Sequence, residues 1–508
     1  MSRGEYLEKW SRSRWLLAVH CLCGGHSAYA ETLEDALGDA YRNNPALVGA
    51  RDMSSAADEG VNHAHAAYGP SLSLSVQHEY TDARIRGGVF PVHDEGFGAT
   101  GELALSQPLF TSGRLSAAVD AATANKFAVR ARLEEASQRT IADVVTAYVF
   151  LQRDMELYGV AAEIYDLLLR QRDQTVSRYR LRDSTAPDVD QTLNRLELAA
   201  GRVISARAAV QASAARYRNL VGHYPDELLP VPALPDLPVL ETLYTEGEAY
   251  SPSLAAFKFA EVQSRAAVAA ARAEMMPQVG AYASALRAPI TPYQNSYRQE
   301  AVSAGVRLTM PLYSGGQMSS ALRAAKDRNL ADQQFVEQAR RDMREQLAAD
   351  WALLEAAQAS LPRFDAAVSA AERAVEGVKR QETAGIRTLR DVLDVTNDLL
   401  SARTAAVQAW AEAYVLRVDV LRDAGILTIG MFSRERPYDP DSRLRWGGRL
   451  AGLPLRPLLE PLDRLASHGS VPVARVQLEY SLNFEGLKEA PLQPVSQGSE
   501  AEGQGRGQ

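Results

Sequence analysis

The chain has 508 residues, with 55 lysines and arginines against 63 aspartates and glutamates, a formal charge of -8. That mildly acidic balance leaves no basic footprint for DNA or RNA, so no nucleic-acid partner is expected. Its two cysteines, Cys21 and Cys23, lie in one short N-terminal stretch. Neither a disulfide framework nor thiolate chemistry is therefore expected of the remainder.

Residues 1–30 read as a secretory signal peptide. Arg3, Lys9, Arg12 and Arg14 precede the apolar stretch WLLAVHCLCGG, and Ala28-Tyr29-Ala30 supplies an A-x-A cleavage site. Neither cysteine follows a lipid-attachment pattern. Beyond residue 30 no apolar run approaches the ~20 residues a membrane-spanning helix needs. A membrane crossing would then have to be a closed β-barrel, because an open sheet edge in lipid leaves backbone groups unpaired.

The sequence repeats itself with a long period. Asn44-Pro45-Ala46-Leu47 returns as Ser251-Pro252-Ser253-Leu254, and Pro70 as Pro277, at an offset of 207. Gln107-Pro108-Leu109-Phe110 returns as Met310-Pro311-Leu312-Tyr313, and Thr185 and Asp188 return as Thr388 and Asp391, at an offset of 203. The difference is assigned to a shorter loop, since loops absorb length changes cheaply. The repeats are set at residues 31–240 and 241–428, and residues 429–508 form an extension without a partner.

Within each repeat the hydrophobic period changes in a fixed order. Residues 46–67 are alanine-rich and helical in pattern, ended by Gly69-Pro70. From Ser71, Leu72, Leu74 and Val76 alternate with serines, and in the second repeat Val302, Ala304, Val306, Leu308 and Met310 alternate with polar or small residues. This predicts strands of roughly ten residues with one apolar and one polar face, a length suited to a tilted membrane strand. The strands of each pair are joined by loops, RIRGGVFPVHDEGFG in the first repeat and RAPITPYQNSYRQ in the second.

After Gly113 the period is helical for about 70 residues, or roughly 105 Å. Ile141, Val144, Tyr148, Leu151, Met155, Tyr158, Ala162, Tyr165 and Leu169 form a 3.5-residue seam. Val145, Val149, Ala161, Ile164 and Leu168 make a second stripe, which calls for neighbours on more than one side. The matching stretch after Gly316 has equal length, and the two long helices are expected side by side. In the extension, the alternation from Ala474 to Phe484 permits one further strand outside the membrane, and the last dozen residues read as disorder.

Chemistry-bearing motifs are absent: the sequence has no phosphate-binding loop, no H-E-x-x-H and no nucleophile elbow. His63 and His65, two apart on a helix, point to different sides and make poor joint metal ligands. An enzyme is not expected, and neither is a cofactor or a metal.

The ordered and duplicated motifs resemble the TolC-like outer-membrane channel family, in particular its type I secretion branch. The residues that carry the resemblance are Asn44-Pro45, Gln107-Pro108-Leu109-Phe110, Pro311-Leu312-Tyr313-Ser314-Gly315-Gly316 and GIRTLRDVLDV (Gly385–Val395). YRNLVGHYP (Tyr217–Pro225) and Tyr438-Asp439-Pro440 add to it, so that it covers about residues 31–440. It implies a mainly α protein with β structure: a long α-helical barrel in the periplasm, and four strands given to a trimeric, 12-stranded transmembrane β-barrel in the outer membrane. It also implies a homotrimer in outer-membrane lipid, docked to a periplasmic adaptor and an inner-membrane ABC or proton-driven transporter. Type I protein secretion is the first reading and a drug or metal efflux duct the second, with a non-pore periplasmic scaffold as the alternative of another class.

In that family the turn before GIRTLRDVLDV lies at the closed tip. The resemblance places Asp391 and Asp394 in a carboxylate ring at the pore entrance, and has Arg387 tie the inner helix pair to Asp188 on the neighbouring pair. Many members have a tyrosine latch where this chain has Glu382. A plainer reading stands beside it: Thr185-x-x-Asp188 and Thr388-x-x-Asp391 resemble capping boxes, with Thr185 and Thr388 as helix caps.

Overall fold

The computed structural model describes residues 31–85, 92–443 and 451–466. The signal-peptide reading, the possible strand at 474–484 and the C-terminal disorder lie outside the described residues.

The first repeat runs α1 (Leu33–Asn43), α2 (Pro45–Ala66), β1 (Ser71–Ile85), β2 (Val92–Phe110), α3 (Arg114–Arg180) and α4 (Ala186–Val221). The second runs α5 (Leu240–Tyr250), α6 (Pro252–Ala273), β3 (Gln278–Thr291), β4 (Gln294–Thr309), α7 (Gln317–Thr383) and α8 (Leu389–Asp423). A last helix, α9 (Arg456–Ala466), follows.

One antiparallel sheet holds the four strands in the order β1-β2-β3-β4. Its register sorts side chains by face. Leu72 pairs with Leu105, Leu105 with Ala283 and Ala283 with Ala304, while Leu74, Leu103, Ala285 and Val302 form the next row. The opposite face carries Ser73, Ala104, Ser284 and Ser303 in one such row, and the last two hydroxyls are 2.9 Å apart. Since side chains alternate along a strand, one face is apolar and the other polar, the pattern of a barrel wall between lipid and water. Further out, Phe97 stacks on His78 at 5.4 Å and lies 5.2 Å from Tyr80, an aromatic border above the apolar rows.

The strands, at 14 to 19 residues, are longer than the ten or so expected, and the hairpin connections correspondingly shorter. Beyond Val76 both faces are largely polar, so the hydrophobic alternation fades while backbone pairing continues to Ile85↔Val92. Only Pro292 and Tyr293 separate β3 from β4.

α3 and α7 are 67 residues each. They do not lie side by side as their equal lengths suggested. A tight turn returns each into its own partner, giving the antiparallel hairpins α3/α4 and α7/α8, while α6 packs against both long helices. Each long helix faces two short helices set nearly end to end. Asn44 caps α2 by accepting from the amides of Ala46 (3.0 Å) and Leu47, and its Nδ2 donates to the carbonyl of Leu220 at the end of α4 (3.0 Å). In the second repeat Gly425, just past α8, has φ +73° and touches the start of α6. A Cβ there would sit 2.7 Å from the Ser251 nitrogen, so both conformation and space demand glycine. Around these two joints Leu37, Tyr148, Tyr217, Leu243, Leu347 and Leu427 form the main core.

Along α3 the buried stripe shifts. Ile141, Val144, Tyr148 and Leu151 are buried, Met155 is 45% exposed, and Ile164 and Leu168 of the second stripe are buried further down. Val145 and Val149 of the second stripe are buried beside the first, so the contact face narrows from both stripes to the second, as a straight helix of 3.6 residues per turn drifts off a 3.5-residue seam. Among the described residues, no helix is long and apolar enough to cross a membrane.

Candidate functional site at the helical tip

Both hairpins turn at the end farthest from the sheet, which brings the starts of α4 and α8 together. Both helices open with a threonine and an aspartate three residues on. The amide and hydroxyl of Thr185 donate to Asp188 Oδ2 at 2.9 and 2.7 Å, and Ser184 adds its hydroxyl at 3.1 Å. At α8 the amide and hydroxyl of Thr388 donate to Asp391 Oδ2, both at 2.9 Å, and the Asp391 amide donates back to the Thr388 hydroxyl. These hydrogen bonds to the charged form hold both carboxyls below the usual range. For Asp391 the nearby Arg387 acts in the same direction.

Asp188 and Arg387, the pair the resemblance joined, make no ion pair within the protomer among the described residues. The Asp188 carboxylate is occupied in its own cap. Asp394, one turn beyond the cap, is half exposed and meets Arg195 of α4 at 3.0 Å, with Arg390 at 3.8 Å. Glu382, where the resemblance set a tyrosine latch, is 11% exposed and forms a close ion pair with Arg178 of α3. Farther up, Arg403 of α8 bridges Glu163 of α3 and Glu372 of α7, each at 2.8 Å. Arg202 of α4 donates to Asn397 of α8 at 3.2 Å.

Polar links thus join the first hairpin to the second near the tip. Beneath them lie Val160, Ile164 and Leu168 of α3, Leu196 and Ala199 of α4, and Leu393 and Leu400 of α8. Exposed ion pairs are worth ~0–1 kcal/mol each, so the apolar contact sets the packing and the ion pairs set its register. Sequence reasoning missed Arg178, Arg195, Arg202 and Arg403. The seven-residue spacing of Arg195 and Arg202 was the available signal, and it acquires meaning only once α8 is known to lie alongside.

One group has metal-ligand geometry among the described residues: Asp82, His93 and Glu95, all exposed, with ligand atoms within 4.8 Å. Arg84 already pairs with Asp82 at 3.0 Å and Tyr80 donates to Glu95 at 2.7 Å, so a polar network of the β1/β2 hairpin accounts for it.

A sheet with one lipid-type face and one water-type face, carried on helices far too long for a globular domain and drawn together at a charged tip, defines a duct protomer. The outer membrane efflux protein model matches residues 36–223 and 243–416, and the chain belongs to that family. It is 29% identical to the outer membrane efflux protein BepC of Brucella suis over 83% of this chain and 91% of BepC. It is 26% identical to the alkaline protease secretion protein AprF of Pseudomonas aeruginosa over 78% and 86%. Its identity to the outer membrane protein TolC of Escherichia coli is 21% over 78% and 83%. Among solved structures, VceC of Vibrio cholerae superposes with a TM-score of 0.65 at 20% identity, covering 77% of this chain and 96% of VceC. The CmeC channel of Campylobacter jejuni gives 0.68 at 15%, covering 77% and 85%. The protein is an outer-membrane exit duct with a periplasmic helical tunnel, a transport protein and not an enzyme.

Proposed function

We propose that the duct works as a homotrimer in type I protein secretion, passing cargo from an inner-membrane ABC transporter and periplasmic adaptor to the exterior. The observation that carries the trimer is the pair of open sheet edges. β1 and β4 are edge strands, and four strands cannot close a barrel in lipid. Three copies joined β4 to β1 leave no edge and give twelve strands. Exposed Leu330, Phe335 and Leu353 on α7 supply apolar surface for the neighbouring helices. The secretion reading is supported by the likeness to a protein named for alkaline protease secretion, and by the stretch GIRTLRDVLDV at the tip. The likeness to BepC, named for efflux, favours a second reading as the duct of an efflux pump.

The tip is the proposed gate. Arg178–Glu382 and Arg195–Asp394 hold the two hairpins together, and Asp391 with Asp394 from three chains present carboxylates to the entrance. The test is a strain lacking its own duct, supplied with this chain, a type I transporter, its adaptor and a repeat-bearing secreted protein. Export of the protein supports the secretion reading. Failure to export it, with restored resistance to dyes when a proton-driven pump is supplied instead, assigns the duct to efflux.

A further inference from the structure

The helix α9 is the part of the C-terminal extension that the duct reading leaves unexplained. It is anchored at the foot of the sheet. Asp463, 2% exposed, accepts from the amides of Thr111 (2.9 Å), Gly113 (3.0 Å) and Ser116 (3.1 Å) and from the Thr111 hydroxyl (2.9 Å). It thereby caps α3, whose N-cap residue Gly113 has no side chain to do so. Leu459, one turn earlier, packs on Tyr68, Leu115 and Val119. Gly452, at φ +78°, lets the chain reach this position, since a Cβ there would lie 2.4 Å from the His65 carbonyl.

The anchored face leaves two others. Arg456, Glu460 and Arg464 form a charged stripe, and Arg464 reaches Asp120, further down α3 on the periplasmic side, at 3.4 Å. Leu458, Leu462 and Leu465 lie roughly opposite that stripe at about 100° per residue. They are 67%, 55% and 83% exposed. With the charged stripe turned down α3, the leucines turn toward the level of the sheet. The helix also stands on the lipid side of the sheet: Gln107, in line with Leu103 and Leu105 on the apolar face, donates to the carbonyl of Tyr68, whose ring packs on Leu459.

We propose that α9 is an interfacial helix whose leucines lie in the periplasmic leaflet of the outer membrane, continuing the apolar face of the barrel below its last row. An amphipathic helix lying flat at the headgroup boundary buries such a stripe, and the charged stripe of α9 is turned to the protein, with Arg456 27% and Glu460 19% exposed. The proposal rests on the outer-membrane location and not on the secretion reading, so a duct that exports no protein leaves it standing.

The test uses the full chain with Cys21→Ser and Cys23→Ser, reconstituted in vesicles of phosphatidylethanolamine and phosphatidylglycerol. Nitroxide labels are placed singly through Leu458→Cys, Leu462→Cys and, as a site far from the sheet, Met155→Cys. Labels at 458 and 462 are expected to be relaxed by dissolved oxygen and protected from a water-soluble nickel chelate, with the label at 155 showing no such membrane signature. Full access of the chelate to both leucine positions would overturn the proposal in favour of open solvent. Protection from both reagents would overturn it in favour of a neighbouring protein chain. Two leucine positions guard against one label disturbing the fold.

Discussion

Glu382 shows how a single charge ties two hairpins, its largely covered carboxylate meeting Arg178 of α3. Glu382→Gln is expected to raise single-channel conductance in planar bilayers, because the proposed gate loses one tie while the apolar contact beneath it persists. Asp394→Ala is expected to reduce cation selectivity. Its effect is smaller than that of a bare carboxylate, because Arg195 partly neutralises the group. Selectivity unchanged in a folded Asp394→Ala trimer would remove Asp394 from the pore. Thr388→Ala separates capping from gating: it should lower the stability of the tip by ~1 kcal/mol, read as faster hydrogen exchange at the start of α8, with selectivity retained. The capping motifs at 185 and 388 were legible in the sequence because they are local. The partners of Glu382 and Asp394 were not, since an exposed charge has no preferred partner until helices are placed side by side.

A second residue-scale device lies at the end of α8. Burial, with a hydrogen bond shared with Asp350 of α7, pushes the Asp423 carboxyl from 3.8 up to about 7, against the pull of Arg422. The folded chain therefore holds a proton that the unfolded chain releases across that interval. The stabilising contribution is complete below 3.8 and is lost as pH rises through about 7. Thermal melts are expected to show stability falling as pH rises across this window, with the slope reduced in Asp423→Asn. An unchanged slope would assign the dependence to other groups.

At the scale of elements, the helices were legible and their neighbours less so. The repeated Gly113 and Gly316 and the paired threonines bound α3 and α7 closely, because caps and period are local signals. That these equal helices stand apart depends on tight turns and on α6 packing against both. The sequence pattern marks the strands as shorter than they are, because their outer halves carry polar residues on both faces. α9 had no repeat partner to point to it, and an aspartate that caps a helix some 350 residues away leaves no local trace. Asp463→Ala is expected to destabilise the foot of α3 by ~2 kcal/mol, since a buried charged acceptor of several amides is removed. Proteolysis at the sheet–helix junction measures it, and wild-type resistance would make the cap dispensable.

For the whole molecule, the two repeats share a pattern but not a burial. α3 is enclosed by α2, α4, α6 and α8, whereas α7 buries only Leu347, Asp350 and Leu354 and keeps large apolar side chains in the open. In the proposed trimer that difference divides labour: the first repeat holds the chain together and the second holds the assembly. Phe335→Asp is expected to shift the detergent-solubilised protein from trimer to monomer, as read by mass, while α3 keeps its protection from exchange. A trimer of unchanged mass would move the contact elsewhere.

The joints at Asn44 and Gly425 also make the duct a ruler in two sections. Below the joints each unit of length is written twice per repeat, once down a long helix and once back up α4 or α8. Above them it is written in α2 or α6 opposite the upper part of the same long helix. Removing seven residues from each of α3, α4, α7 and α8 below the joints would shorten the tunnel by about 10 Å and leave the sheet, α2, α6 and α9 where they are. The same cut in α3 and α7 alone would put α3 out of register with α4 and α7 with α8, and would break the links of Arg403 to Glu163 and Glu372. The span that such a protein bridges is thus adjustable, but only in matched steps on both legs of each hairpin.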